Sequence, residues 1–563
     1  MIPPDFKAHL VSYADARFRH AQTRLVSTCS QFGINQIHAF GPEQLRQTPF
    51  YSQHRDILDQ PRGGGYWLWK PYYIREVMRQ ARPGDAVLYI DSGAELIGSV
   101  GPLVETCRQA DGLLLFRNHG RPNRYWVKRD CYVRMQCDTP ACHDADQVNA
   151  AFLVMIAGSA AAEEFLERWL ELCTDAQLIT DLPSKCGLPE LPDYVTHLHD
   201  QAILSLVAFE RGTPLYRDPS QFGNHRKLPE LRVPGEHLEL PYTSESCTRS
   251  HYPTLINHHR TSAPPPDVVR KFVGRLKIYG RTLVPKKWPN PYFASNDLVA
   301  SMRVNRKTLA GVEKWFDPQA DAASQFGYGV PDRLRKQLDR PVGSQPTVPD
   351  LIGNLSAALK TPLNYLEIGV SVGKNFLQQL RATTSPDAAQ RTLTGFDIEE
   401  MHPNLTSRLQ ETACDRWDPA ADSLKRGANS LRTFHDPGQG GTVRYLAGDV
   451  FDESCWRRLQ GRPFNFIFSD ALHRPEGLMF EWRMIERHGL LDQDEFVMMW
   501  DDLGGYMTLA FDRICEQVQA QAGSCCKLLV KMRGWMGVNE YPHEIGVLAK
   551  LKNPPEWLRK AHA

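Results

Sequence analysis

At 563 residues the chain exceeds one ordinary core, and length alone suggests roughly two to four domains. Its 42% hydrophobic and 23% charged residues, with no low-complexity tract, exclude a fibrous or natively disordered chain, and a net charge of +1 supplies no global field for nucleic acid. The N-terminus, MIPPDFKAHLVSYADARF, lacks an apolar signal core, and no run approaches a membrane span. Thirteen cysteines in such a chain read as reduced thiols, so a cytoplasmic protein is expected, with peripheral membrane contact left open.

The N-terminal half alternates short strands and helices, the pattern of an α/β fold. A strand HLVSYA from His9 is followed by a helix over about 16–32 and a strand QIHAF. The next segment, PRGGGYWLWKPYYIREVMRQARPGDAVLYIDSGAEL, holds a helix stopped by Pro83-Gly84-Asp85 and a strand AVLYI ending at Asp91. An acid at the carboxyl end of a strand lies where open α/β sheets bind ligands. Further on, Asp200 and Gln201 open the amphipathic helix DQAILSLVAFE, with Gly212 just past its end. An Asp at that position is either a cap or a chemical group. Cys131, Cys137, Cys142 and His143 lack the paired two-to-four-residue gaps of structural zinc sites and read as buried thiols.

Gly-Tyr-Trp-Leu-Trp-Lys-Pro followed by a strand ending in an Asp-x-Gly turn resembles a bacterial family of glycosyltransferases with the GT-A fold. VKRDCYVRM, DQVNAAFLV, HDQAILSLVAFERG and NHHRTS extend the resemblance, in order, over about residues 8–262. It implies a nucleotide-sugar donor contacted by Tyr13, Trp67, Lys70, Asp91, Gly93, Lys128, Asp130 and Gln201. Trp67 and Trp69 serve equally as core or as base-stacking residues. Asp91 and Asp200 are the candidate catalytic groups. GT-A enzymes usually present Asp-x-Asp to a metal, whereas Asp91-Ser92-Gly93 has lost the second acid. Either Asp91 holds a divalent metal with His258 or His259, or Lys70 supplies part of the positive charge.

TSAPPPD, Thr261–Asp267, is the clearest boundary. The basic, helically spaced stretch VVRKFVGRLKIYGRTLVPKKW after it is expected to be a helix, either packed on a domain or lying on an anionic membrane that carries lipid-linked acceptors. The expected domains are 1–262, a helical bridge at 263–340, and 341–563.

The last domain opens with the apolar run LNYLEIGV, a buried strand, which passes into the glycine turn GVSVGKNFLQQL and a helix. A second strand, LTGFDI, ends at Asp397, placed to hold a ribose. Glu367, two residues before Gly369, would repel a pyrophosphate but suits a ligand carrying an amino group. Glu-Ile-Gly-Val-Ser-Val-Gly resembles the first motif of class I S-adenosylmethionine-dependent methyltransferases, over roughly residues 340–563. The resemblance implies a Rossmann-like domain with Glu367, Gly369, Ser371, Gly373, Asp397 and Asp449 at the cofactor. It also implies that GWMGVNEYPHEIGVLAKL forms a closing antiparallel hairpin.

FNFIFSDALH and EFVMMWDDLGG read as strands ending at Asp470 and at Asp501-Asp502. Carboxylates converging without a cation repel one another, and oxygen-rich sites suit magnesium or manganese. This resembles metal-dependent sugar and catechol O-methyltransferases, so Asp470, Asp501 and Asp502 are expected at the metal. His473 is the expected base, because an imidazole can take a proton near neutral pH. The combined expectation is a fused enzyme that transfers a sugar to a surface glycan and then O-methylates that glycan. The alternatives are a methyltransferase with a glycan-binding module, and a non-catalytic assembly scaffold.

Overall fold

The computed structural model describes residues 7–223, 249–260, 348–370, 375–376, 379, 390–398, 400–401, 429–435, 441–532, 543–555 and 558–559. The chain divides into two compact units, Met1–Phe272 and Val273–Ala563. The expected helix after Thr261 and the whole of the expected bridge lie outside the described residues. No helix among the described residues is long and apolar enough to cross a membrane, and their cysteines are free thiols.

Unit 1 contains strands β1 (Ala8–Tyr13), β2 (Gln36–Phe40), β3 (Ala86–Ile90), β4 (Glu95–Leu96), β5 (Leu113–Pro122), β6 (Asp146–Ile156), β7 (Leu215–Tyr216) and β8 (Ile256–Asn257). Six form one sheet in the order β2-β1-β3-β6-β5-β7, and β4 pairs with β8 in a small side sheet. The strands β1, β2 and β3 run parallel, while β6 runs antiparallel to both β3 and β5. Successive side chains of a strand point to opposite faces. Val11, Val87 and Tyr89 accordingly join one core with helices Trp69–Gln80, Ala160–Cys173 and His199–Glu210. Leu10, Leu88 and Ile90 join the other, with helices Arg19–Cys29 and Gly101–Gln109. Coverage on both faces explains why AVLYI is apolar without alternation.

Unit 2 contains β9 (Asn364–Ile368), β10 (Thr392–Asp397), β11 (Ser430–His435), β12 (Thr442–Ala447), β13 (Phe466–Ser469), β14 (Phe496–Trp500), β15 (Cys526–Met532) and β16 (His543–Lys550). Their order is β11-β12-β10-β9-β13-β14-β16-β15. The five strands from β12 to β14 are mutually parallel, and β16 runs antiparallel between β14 and β15. A parallel centre closed by a reversed hairpin is a Rossmann-like arrangement, and both units are α/β. The hairpin differs from expectation in one respect. Its first strand lies upstream of Gly534, with Cys526 opposite Ala549 and Met532 opposite His543. Helix Val348–Ala358 joins the core on one face. Helices Pro475–Arg487 and Tyr506–Ala522 lie on the other, where Ser469 meets Glu481 and Trp500 meets Phe511.

Candidate active sites

In unit 1, Lys70 is the central group. Helix Trp69–Gln80 carries it under the sheet, where it is 3% exposed. Its Nζ lies 2.8 Å from Asp200 Oδ2 and 3.9 Å from Asp91 Oδ1, and donates to the Ala150 carbonyl at 3.1 Å. The Tyr89 hydroxyl donates to Asp91 Oδ1 at 2.5 Å. Burial pushes the Asp200 carboxyl up to about 6, and Lys70 holds it there against a larger rise. Asp200 is therefore no helix cap: the helix begins at His199, and the carboxylate is a buried counter-ion. Of this trio only Asp91 reaches solvent, with 36% of its side chain exposed.

Gln201 accepts from the Ala150 amide and donates to Gln147 at 2.7 Å. Asn149 donates to the buried Asp218 at 2.7 Å. Tyr89, Gln147, Asn149 and Asp218 were not singled out from the sequence. The signal available was the alternation of polar Gln147 and Asn149 in the otherwise apolar DQVNAAFLV.

Several expected donor contacts are otherwise engaged. Lys128 is buried, and its Nζ donates to the Thr180 and Leu182 carbonyls at 3.0 and 3.1 Å. Asp130 accepts from Gln177 Nε2 and from the amides of Lys185 and Cys186. These two side chains clasp the loop after Ile179. Tyr13 is buried, stacked on Trp69 with ring centroids 3.9 Å apart, and belongs to the core. Trp67 takes a left-handed backbone (φ 60°) and packs on His199.

The carbonyl of Gly93 accepts from the Arg260 amide at 2.8 Å, and any Cβ on Gly93 would press on Arg260 Cα at 3.2 Å. His258 is buried against Phe152 and Phe222, and burial pushes its imidazole down to about 3. Among the described residues, neither Asp91 nor His258 belongs to a cluster of three metal-capable groups. His259 is not in one either. The Cys131, Cys137, Cys142 and His143 set does not converge on a metal, and His143 pairs with Asp138 at 2.8 Å.

In unit 2 the turn after β9 is fixed from both sides. Gly369 has φ +86°, and its amide donates to the Phe396 carbonyl at 2.8 Å. The Val370 amide donates to Asp397 Oδ2 at 2.8 Å, so the acid at the end of β10 closes the turn. A Cβ on Gly369 would stand 2.4 Å from the Asp470 carbonyl oxygen. Gly369→Ala should therefore cost about 3 kcal/mol, from left-handed strain plus overpacking against rigid backbone. Urea unfolding checks this; an unchanged midpoint would contradict the close approach.

Glu367 is 1% exposed; it accepts from the Tyr365 hydroxyl at 2.6 Å and from Asn375 Nδ2 at 2.8 Å. Burial pushes its carboxyl up to about 8, the two donors pull it down, and Asp397 adds to the rise. No Lys, Arg or His among the described residues pairs with it. A buried acid with two neutral donors favours its uncharged form. Asp449 turns the loop after β12, accepting from the Phe451 amide at 2.9 Å. Ser371 and Gly373 lie outside the described residues.

At the same edge Asp470, His473 and Asp502 converge, with one ligating atom from each within 4.8 Å of the others. His473 Nδ1 lies 3.3 Å from Asp502 Oδ2, and its Nε2 lies 3.9 Å from Asp470 Oδ1. Of the expected acid triplet, Asp470 and Asp502 join this group. Asp501 is buried and accepts from the Asp502 amide at 2.7 Å, whereas Asp502, with φ +52°, turns outward. The Asp470 and Asp502 carboxylates suit an oxygen-seeking divalent cation such as magnesium or manganese, with His473 beside them.

No protein-family model and no curated protein sequence matches the chain. Solved structures are similar at low identity. A Klebsiella pneumoniae protein described as an O-methyltransferase shares 12% identity over 50% of this chain and 97% of its own, with a TM-score of 0.23. Mouse xyloside xylosyltransferase 1 shares 11% over 46% of this chain and 100% of its own, with a TM-score of 0.26. The bifunctional glycosyltransferase WbbM shares 12% over 37% and 38%, with a TM-score of 0.23. At these scores the likenesses decide nothing about activity, and the fold assignment rests on strand order.

Proposed function

We propose that the chain is a bifunctional enzyme of surface-glycan assembly, with a nucleotide-sugar-dependent glycosyltransferase in unit 1 and an S-adenosylmethionine-dependent O-methyltransferase in unit 2. The observation that carries the second activity is the Gly369 turn closed by Asp397 next to the buried Glu367, which pairs with no Lys, Arg or His among the described residues. Glu367 would hold the cofactor's amino group, Asp397 its ribose, and Asp449 would lie by its adenine. S-adenosylmethionine supplies an electrophilic methyl group when bound. His473, flanked by two carboxylates, takes the proton of the acceptor hydroxyl. A divalent cation held by Asp470 and Asp502 would polarise that hydroxyl. In unit 1, Lys70 and Asp200 fix Asp91, the accessible acid, at the strand end where a nucleotide sugar would dock.

Calorimetry on the full chain with S-adenosylhomocysteine, and turnover of a nucleotide-sugar panel, test the two halves separately. Absence of S-adenosylhomocysteine binding overturns the methyltransferase. Absence of nucleotide-sugar hydrolysis or transfer overturns the glycosyltransferase. One observation favours a second reading, in which unit 1 binds glycan without transferring sugar: Lys128 and Asp130, expected at the donor, are consumed by the loop they clasp.

Glu367 also gives a prediction in protons. Its folded value of about 8 exceeds the ordinary 4.5, so the folded state holds more protons between those values. Its contribution to stability is fully present below 4.5 and is lost as pH rises through about 8. A ligand ammonium beside Glu367 forces ionisation, so S-adenosylhomocysteine binding at pH 7 should release about one proton per site. Calorimetry in buffers of different ionisation enthalpy measures it. Glu367→Gln should release none, and equal release by both proteins would contradict the assignment.

A further inference from the structure

The helix Pro475–Arg487 buries Leu478, Met479, Trp482, Met484 and Ile485 against the sheet, and among them it also buries Glu481, 1% exposed. An acid placed in an apolar layer weakens the fold relative to a leucine or methionine of similar volume. Glu481 Oε2 accepts from Ser469 Oγ at 2.6 Å, and Oε1 has no hydrogen-bond partner among the described residues. A carboxyl whose hydrogen bonding goes to one hydroxyl is explained by what that hydroxyl belongs to.

Ser469 is the last residue of β13, and both strand-end acids of the candidate metal centre hang from it. Asp470 follows it directly, with its amide tied to the Ile368 carbonyl at 2.8 Å. The Ser469 carbonyl accepts from the Asp501 amide at 3.0 Å, and Asp501 Oδ1 in turn accepts from the Asp502 amide. Rotation of Ser469 would move Asp470 and the Asp501-Asp502 turn together. The buried acid under the sheet pins that pivot from below.

We infer that Glu481 is a positioning residue. Through Ser469 it fixes the separation of the Asp470 and Asp502 carboxylates, and with it the affinity of their cluster for a divalent cation. The inference rests on the reading of Asp470 and Asp502 as ligands of a divalent cation. Its chemistry is that of a support beneath the ligands, where a change typically weakens metal binding by about 10- to 100-fold.

The test is Mn2+ binding by the full chain, followed by electron paramagnetic resonance, with S-adenosylhomocysteine calorimetry and the unfolding midpoint recorded beside it. Glu481→Gln keeps an oxygen to accept from Ser469 and should bind Mn2+ within about twofold of the parent. Glu481→Leu removes the acceptor and should weaken Mn2+ about tenfold or more while S-adenosylhomocysteine affinity holds. Should the leucine variant fail to fold, Ser469→Ala removes the same bond from the strand side and carries the same expectation. Where both fold, the double variant should be no weaker than the worse single one, because each removes one shared interaction.

A leucine variant that binds Mn2+ like the parent, or effects of the two changes that simply add, overturns the positioning role alone. A parent protein that binds no Mn2+ overturns the metal reading and this inference with it. Equal loss of Mn2+ and S-adenosylhomocysteine affinity also counts against it, because that is the mark of general unfolding.

Discussion

Asp470→Asn combined with Asp502→Asn should lower methyl transfer by at least about 10²-fold while leaving nucleotide-sugar turnover unchanged. The amides keep the shape of the side chains and remove the charge that would hold a cation. Asp502 has φ +52°, a conformation that asparagine also tolerates, so the exchange adds no backbone strain there. S-adenosylhomocysteine binding should persist, because Glu367 and Asp397 are untouched. Asp501→Asn alone is the internal control. Its amide oxygen can still accept from the Asp502 amide, so activity should stay within a few-fold. Radiolabelled methyl transfer and nucleoside diphosphate release, assayed on the same preparations, decide it. Loss of both activities, or full methyl transfer by the double variant, would contradict a two-site enzyme. A large loss from Asp501→Asn would restore the arrangement expected from the sequence.

That swap shows where local sequence stops being informative. The strands ending at Asp91, Asp397 and Asp470 were legible because doubly covered parallel strands are unbroken apolar runs and the acids stand at their carboxyl ends. Two adjacent acids at Asp501-Asp502 could not be ranked. A left-handed residue decides which carboxylate turns outward, and no neighbouring residue announces it. Lys128 and Asp130 looked like ligand contacts because the segment they hold arrives some 50 residues later, at Thr180 and at Lys185-Cys186. Glu481 reads in sequence as one more charge on an amphipathic helix; only its depth beneath Ser469 gives it a role. Asp218 likewise sits in an irregular segment, YRDPSQ, and gains meaning only from Asn149 on a distant strand. Long-range partners, absent from any local window, account for the roles of Lys128, Asp130, Glu481 and Asp218.

Lys70→Met should destabilise unit 1 by about 3–5 kcal/mol, the usual result of removing one partner from a buried ion pair. Methionine fills much the same volume, so the loss is electrical rather than a cavity. Asp200, 4% exposed, would be left without its cation and with Asp91 nearby. The sign of the pH dependence follows from that position. Burial already holds the Asp200 carboxyl at about 6, and loss of Lys70 removes the attraction that opposes the rise. In the variant Asp200 is therefore protonated over a wider range, and protonation relieves the unpaired charge. The penalty should be smaller at pH 5 than at pH 8. Adding Asp200→Leu should recover most of the lost stability, since a buried pair replaced whole by apolar side chains is often neutral. It should not recover sugar turnover, because Asp91 would still lack the cation that fixes it. Urea unfolding at both pH values, with the double variant alongside, measures each of these differences. A penalty under about 1 kcal/mol, typical of exposed pairs, would show that water reaches Lys70 and that the trio does not act as a buried unit.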